Sequence, residues 1–178
     1  YQAHLRIASG SGNGQISFGD QNGLTTPNLS LPNTQGWTNW DSYTIEDIVL
    51  TTNDTKFRVY AGNEGFNLSS IELIKTGELS EITSTYVNAI TLDESTIQVT
   101  TNKPLDADSE ISINDYSLTV NGQPISIGDV SIIPNTRHLL VQPNITLSAS
   151  HVIRVSYNGQ GLKSIDGLQV EAFNLELV

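Results

Sequence analysis

The two tryptophans of the chain, Trp37 and Trp40, both lie in the polar stretch NTQGWTNWDS at residues 33 to 42. An exposed indole can cover the C–H face of a sugar ring while neighbouring amides and hydroxyls bind the sugar's hydroxyl groups. If the stretch is extended, positions 37 and 40 point to opposite faces. We therefore expect Trp37, directly after Gly36 at a turn, to be exposed for ligand contact, and Trp40, before the alternating YTIEDIVL, to lie in the core. The alternative for Trp37 is a structural side chain that closes the end of a sandwich.

Catalytic and metal-binding patterns are weak elsewhere in the chain. His138 and His151 could form a site with Asp129 or Asp166, but both histidines lie in strand-like segments without a nucleophile motif, so we expect them to be surface strand residues. The carboxylates of residues 93 to 110 lack the loop pattern and closing glutamate of a calcium site. No carboxylate pair has the apolar setting that glycoside hydrolysis requires. The sequence therefore predicts no catalytic residue.

Composition narrows the class of protein. A hydrophobic content of 37% with 15% charged residues is typical of a folded chain, and the net charge of −11 argues against nucleic-acid or anionic-membrane partners. The chain has no cysteine, which excludes disulfides and thiolate metal sites. It has no apolar run of about 20 residues, so we expect no membrane span. Because it also lacks methionine, we expect that sequence upstream of Tyr1 was processed away or left out.

Short alternating segments bounded by Gly, Asn, Asp and Pro recur along the whole chain, and none shows a helical apolar stripe. This pattern predicts an all-β protein. The polar stretch KTGELSEITST at residues 75 to 85 breaks the alternation. We therefore expect two β-sandwich domains, at residues 1–76 and 85–178, joined by a linker at residues 77–84.

Three ordered motifs of the first domain resemble the C-terminal part of a family 6 carbohydrate-binding module. They are RIAS at residues 6 to 9, the Thr34-Gln35-Gly36-Trp37 loop with Trp40 three residues later, and Gly-Phe-Asn at residues 65 to 67. The resemblance implies a partial jelly roll in which Trp37 and Asn67 bind carbohydrate, with the Asn67 amide bonding a sugar hydroxyl. The alternative for Asn67 is a structural role, in which the side chain caps a turn at the end of a strand. Gln35 departs from the family pattern, which has glycine there.

The resemblance spans only about half of a complete module. Missing strands would expose sheet edges and an apolar face. We therefore expect upstream strands or a companion chain to complete the first sandwich. The resemblance is also compatible with a structural Ca²⁺ ion. The sequence identifies no metal ligand and no other cofactor.

The second domain resembles the immunoglobulin-like accessory domains of secreted polysaccharide-degrading enzymes. The resemblance rests on VSYNGQGLKSIDG at residues 155 to 167 and extends over nearly all of residues 85 to 178. The dipeptides Asn121-Gly122 and Asp166-Gly167 predict type I′ hairpin turns.

These resemblances imply a non-catalytic region of a secreted or cell-surface bacterial protein that binds a polysaccharide of the β-glucan, xylan or agarose type. The second domain would be a spacer, and tethering would raise the local concentration of a catalytic domain elsewhere in the protein. The alternative is a structural or adhesive surface protein whose sandwiches make protein contacts, in which case Trp37 should be buried against a partner.

Overall fold

The computed structural model describes residues 1–177, and its contacts divide the chain into two domains, Tyr1–Ile82 and Thr83–Val178. The all-β prediction is confirmed, because every regular element in the described residues is a strand apart from two short 3₁₀ turns. The boundary falls within the segment 77–84. That segment contains one of the 3₁₀ turns, Leu79–Glu81, where the Glu78 backbone N–H donates to the Glu81 carboxylate over 2.8 Å. No helix in the described part of the chain is long and apolar enough to cross a membrane.

The first domain contains seven strands. They are β1 (Gln2–Ala8), β2 (Gln15–Asp20), β3 (Gly23–Leu24), β4 (Leu29–Ser30), β5 (Asp41–Ile45), β6 (Arg58–Asn63) and β7 (Asn67–Ile74). One sheet has the order β5-β1-β7, and in the other β2 pairs with β3, β4 and β6. All the pairings are antiparallel.

Strand β1 shows how sequence alternation becomes a core. Ala3, Leu5 and Ile7 are buried and face inward, whereas Arg6 points outward and is exposed. Because side chains alternate across a strand, every second apolar residue suffices to build the face. The inward residues of β1 pack with those of β2 and nearby loops in one apolar cluster, which contains Ala3, Leu5, Ile7, Ile16, Phe18, Leu31, Ile45 and Ile48.

The second domain contains eight strands in two four-stranded antiparallel sheets. They are β8 (Tyr86–Asp93), β9 (Thr96–Thr101), β10 (Tyr116–Val120), β11 (Gln123–Ile125), β12 (Ile127–Ile132), β13 (His138–Pro143), β14 (Ile153–Tyr157) and β15 (Phe173–Leu177). The sheet orders are β11-β10-β14-β15 and β12-β13-β9-β8. Side chains from both sheets form a single apolar cluster, with Ile97, Val99, Leu139, Val141 and Val155 among its fully buried members.

The two predicted hairpin turns have different outcomes. Asn121 and Gly122 have φ values of 51° and 77° between β10 and β11, so the type I′ prediction is confirmed. At Asp166-Gly167 only Gly167 has a positive φ, 82°, and its N–H donates to the Ser164 carbonyl. The type I′ prediction is wrong there, because that bond makes residues 164 to 167 an ordinary four-residue turn whose last residue is a left-handed glycine.

Candidate functional site

The loop that carries Trp37 is a tight, internally bonded turn. The Asn33 side chain accepts the Gln35 N–H over 2.7 Å, and the Asn39 N–H donates to the Gly36 carbonyl over 3.3 Å. Gln35 has a φ of 64°, in the left-handed region that favours glycine. Glycine would therefore suit this position better than glutamine.

A hydrogen-bonded cluster around Ser9 holds this loop at the end of the sandwich. The Ser9 N–H donates to the Thr34 hydroxyl over 2.8 Å, and the Thr34 N–H returns a bond to the Ser9 carbonyl over 2.9 Å. The buried Ser9 hydroxyl donates to the Gly65 carbonyl over 2.6 Å and accepts the Gly12 N–H over 3.0 Å. Three loops, after β1, before β5 and before β7, are therefore joined at one serine.

About half of the surface of Trp37 is accessible to solvent. Its relative exposure is 51%, as expected for a ligand platform. The ring also packs closely over Gly10, because a Cβ added to Gly10 would stand 2.8 Å from the indole Nε1. Trp37 is therefore exposed as expected, and the Gly10 backbone supports its ring from below. The contribution of Gly10 was missed in the sequence, where the only signal is the glycine-rich run after β1.

Asn67, the first residue of β7, is brought next to Trp37. Its side-chain amide donates to the Trp37 carbonyl over 2.8 Å. The carbonyl oxygen of that side chain has no protein hydrogen-bond partner within residues 1–177, so it can accept a bond from a ligand. The structure thus brings together the two residues predicted to bind carbohydrate, and it shows Asn67 fixing the Trp37 backbone.

Trp40 does not lie in the core, and that prediction is wrong. Its side chain is 39% exposed. The parity argument required an extended segment, but Trp37 and Thr38 form a turn and regular pairing begins only at Asp41. Two exposed indoles therefore stand on the same loop. Tyr43 and Tyr60, in β5 and β6, are half-buried strand residues.

The ionisable groups of the second domain are arranged as structural groups. The Lys103 ammonium donates to the Asp166 carboxylate over 2.7 Å, and the Ser164 hydroxyl donates to its other oxygen over 2.5 Å. Burial disfavours the charged form of Asp166, but these hydrogen bonds outweigh it and hold the pKa of the carboxyl below its usual value. Because the bonds stabilise the ionised carboxylate, Asp166 is suited to an ion pair rather than to proton transfer.

The predicted exposure of His138 is also wrong. The residue lies in β13 as expected, but its ring is 5% exposed and its Nδ1 is 3.2 Å from the Thr100 hydroxyl. His151 is partly exposed, in a turn where its Nδ1 accepts the Ser148 N–H over 3.2 Å. Within residues 1–177 no group of three or more His, Cys, Asp or Glu residues could hold a metal ion.

No family model matches the chain, and no curated protein matches it. Among solved structures it is similar to the N-terminal part of the bacterial S-layer protein SbsC, with 22% identity over 55% of this chain and 23% of that chain, at a TM-score of 0.47. A longer SbsC structure gives the same identity, 14% coverage of its own length and a TM-score of 0.48.

A third match is the archaellum periplasmic stator complex of FlaF and FlaG from Sulfolobus acidocaldarius, with 12% identity over 58% of this chain and a TM-score of 0.27. The chain therefore spans less than a quarter of the SbsC chains that it matches. All three TM-scores lie below 0.5, so these similarities do not indicate a function.

Proposed function

We propose that the chain is a non-catalytic region of a secreted or cell-surface protein, in which the first domain binds polysaccharide at Trp37 and the second domain is a spacer. The observation that carries the sugar site is a half-exposed indole packed on Gly10 and hydrogen-bonded through its backbone to Asn67. A ring held in this way loses little conformational freedom when a sugar stacks on it, so most of the contact energy is available for binding.

Chemical complementarity supports a sugar in particular. The indole offers an apolar surface for the C–H face of a pyranose, while the Asn67 oxygen and the exposed side chains of Thr38 and Asn39 offer hydrogen bonds at its margin. A single stacked ring with a few such bonds contributes about 4 kcal/mol, which corresponds to a dissociation constant of about 1 mM. Binding of that strength is useful when the module is tethered to another domain, because it raises the local concentration of that domain on an insoluble polymer.

Affinity electrophoresis of the chain in gels containing β-glucan, xylan or agarose tests the proposal. At least one polymer should retard the wild-type chain, and Trp37→Ala should abolish the retardation because it removes the supported platform. Trp40→Ala is the matched control, since it removes the other exposed indole of the same loop. Equal loss in the two variants, or no loss in either, would reject the Trp37 site.

A structural or adhesive surface protein is the second candidate, and one feature of the first domain favours it. Several apolar side chains that face the core of this domain remain exposed along one side of the sandwich. If no polysaccharide retards the wild-type chain, this function becomes the better explanation.

A further inference from the structure

One side of the first domain is open. Strands β6 and β7 follow each other with only residues 64–66 between them, yet they belong to different sheets. The four Cα–Cα steps from Asn63 to Asn67 span at most about 14 Å, little more than the spacing of about 10 Å between stacked sheets. The end of β6 and the start of β7 must therefore lie opposite each other at the same side of the sandwich.

The register shows that apolar side chains of β7 face the core without being covered. Opposite residues of an antiparallel pair point to the same face. Ile7, Leu5 and Ala3 of β1 are buried and face inward, and they pair with Leu68, Ile71 and Leu73 in that order. Leu68 is nevertheless 38% exposed and Leu73 36% exposed, and Ile71 is only partly buried.

Strand β6 repeats this arrangement in the other sheet. Phe18 and Ile16 of β2 are fully buried, and they pair with Val59 and Ala61. Val59 is 40% exposed, and Ala61 is exposed as well. Both edge strands therefore present inward apolar side chains to solvent at the side of the sandwich where neither strand has a second pairing partner within residues 1–177.

Three other sheet edges of the chain, β8, β11 and β12, carry protection that β7 lacks. β11 is three residues long and contains Pro124, while β8 and β12 have irregular register against their neighbours. In β7 the irregularity is confined to its start, and Ser70–Ile74 pairs regularly with β1. This run contains neither proline nor lysine. Proline, lysine and irregular register are the devices that prevent strands from adding to an edge.

We propose that this open side, formed by β6 and β7, is a dimerisation surface for a second copy of the chain. An occupant must bring an unpaired strand edge and apolar side chains of its own, and the same side of another copy supplies both. A two-fold contact of this kind is self-complementary by construction. The inference goes beyond the proposed function, and it uses residues other than Trp37.

The sequence of β7 suits antiparallel pairing with its own copy. A two-fold axis at Ile71 places Glu72 opposite Ser70 of the second copy, so the only charged residue of the strand does not face its equivalent. Like charges directly opposite each other would destabilise the pair. The same contact brings the two exposed core faces together and removes Val59, Leu68 and Leu73 of both copies from water.

Sedimentation equilibrium of the chain, from micromolar to submillimolar concentration, tests this surface. The wild type should sediment as a monomer–dimer mixture. Leu73→Lys should raise the dimer dissociation constant about a hundredfold or more, because it directs a charge into the buried contact. Thr44→Lys is the matched control on β5, the opposite edge strand of the same sheet, and it should leave the constant nearly unchanged.

A wild type that remains monomeric would overturn the proposal, as would equal effects of the two lysine substitutions. Circular dichroism and tryptophan emission show whether each variant is folded. The absence of native cysteine allows a second measurement. Oxidised Ile71→Cys should form a disulfide-linked dimer much faster than Thr44→Cys on the opposite edge strand β5, and equal rates would contradict pairing through β7.

Dimerisation and sugar binding fail independently. Leu73→Lys should keep the gel retardation of the wild type, and Trp37→Ala should keep its dimer constant. If the chain binds polysaccharide as a monomer, only the dimer proposal is overturned.

Discussion

Two tyrosines of the second domain allow a sharp test of how hydrogen bonding stabilises its core. Tyr116 and Tyr157 are both buried, and their ring centroids are 4.9 Å apart. The Tyr157 hydroxyl accepts the Leu162 N–H over 3.0 Å, whereas the Tyr116 hydroxyl has no hydrogen-bond partner in residues 1–177. Burial raises the pKa of both hydroxyls, so both are neutral across the usual pH range.

The substitution of phenylalanine removes the same atom at each site, with opposite expected effects. Tyr157→Phe leaves a buried backbone N–H without its acceptor, which costs about 1–3 kcal/mol. Tyr116→Phe removes a polar group that was buried without compensation, so it should be neutral or stabilise the domain by about 1 kcal/mol. The variants should therefore differ by about 1 kcal/mol or more, or by about 4 °C or more in Tm for a domain of this size.

Urea unfolding followed by far-ultraviolet circular dichroism measures the difference. Because both tryptophans lie in the first domain, their fluorescence supplies an internal control that should be unchanged in both variants. Equal destabilisation by the two substitutions would refute the reasoning, since it would mean that the ring environment, and not the hydroxyl partner, sets the cost.

Two further predictions concern a strained residue and an ion pair. Gln35→Gly should leave the free energy of unfolding of the first domain unchanged or raise it by up to about 1 kcal/mol, because glycine adopts the left-handed φ of residue 35 without strain but also gives the unfolded chain more conformational freedom. Thr38→Gly should lower the free energy of unfolding, because it adds only the second of these effects. Urea unfolding followed by tryptophan fluorescence measures both variants. The pKa of Asp166 is lowered in the folded state, so its stabilising effect is present above the unfolded value of about 4 and is lost as pH falls through the folded value. The stability difference between wild type and Asp166→Asn should therefore shrink as the pH of urea unfolding is lowered below about 4, and a difference independent of pH would contradict the ion-pair argument.

Local patterns predicted the parts of the structure that depend on backbone geometry. The alternation in β1 correctly indicates which of its residues face the core, and Asn121-Gly122 correctly indicates a type I′ turn. Both signals depend only on neighbouring residues. The error at Trp40 arose from assuming an extended segment where Trp37 and Thr38 form a turn. The error at His138 has a different origin, because its burial depends on segments distant in the sequence.

The candidate site shows the same division. The sequence singled out Trp37 and Asn67 through their resemblance to a known pattern, and the structure places the Asn67 amide 2.8 Å from the Trp37 carbonyl. The same motifs contain Ser9, Thr34 and Gly65, but nothing in the sequence indicated that Ser9 joins three loops through bonds to Thr34, Gly65 and Gly12. That role arises only when three loops far apart in the chain meet.

By itself, the sequence determined that this is an all-β protein with enough alternating strands for two domains. The strand backbone imposes a period of two residues, and that period is visible in the order of apolar and polar residues. The tertiary structure decided which side chains remain at the surface. Leu68 and Leu73 have the apolar character and the inward direction of core residues, yet they stay exposed because no further strand lies beside β7 within residues 1–177. Burial is a property of what packs against a residue, and distant segments supply that packing.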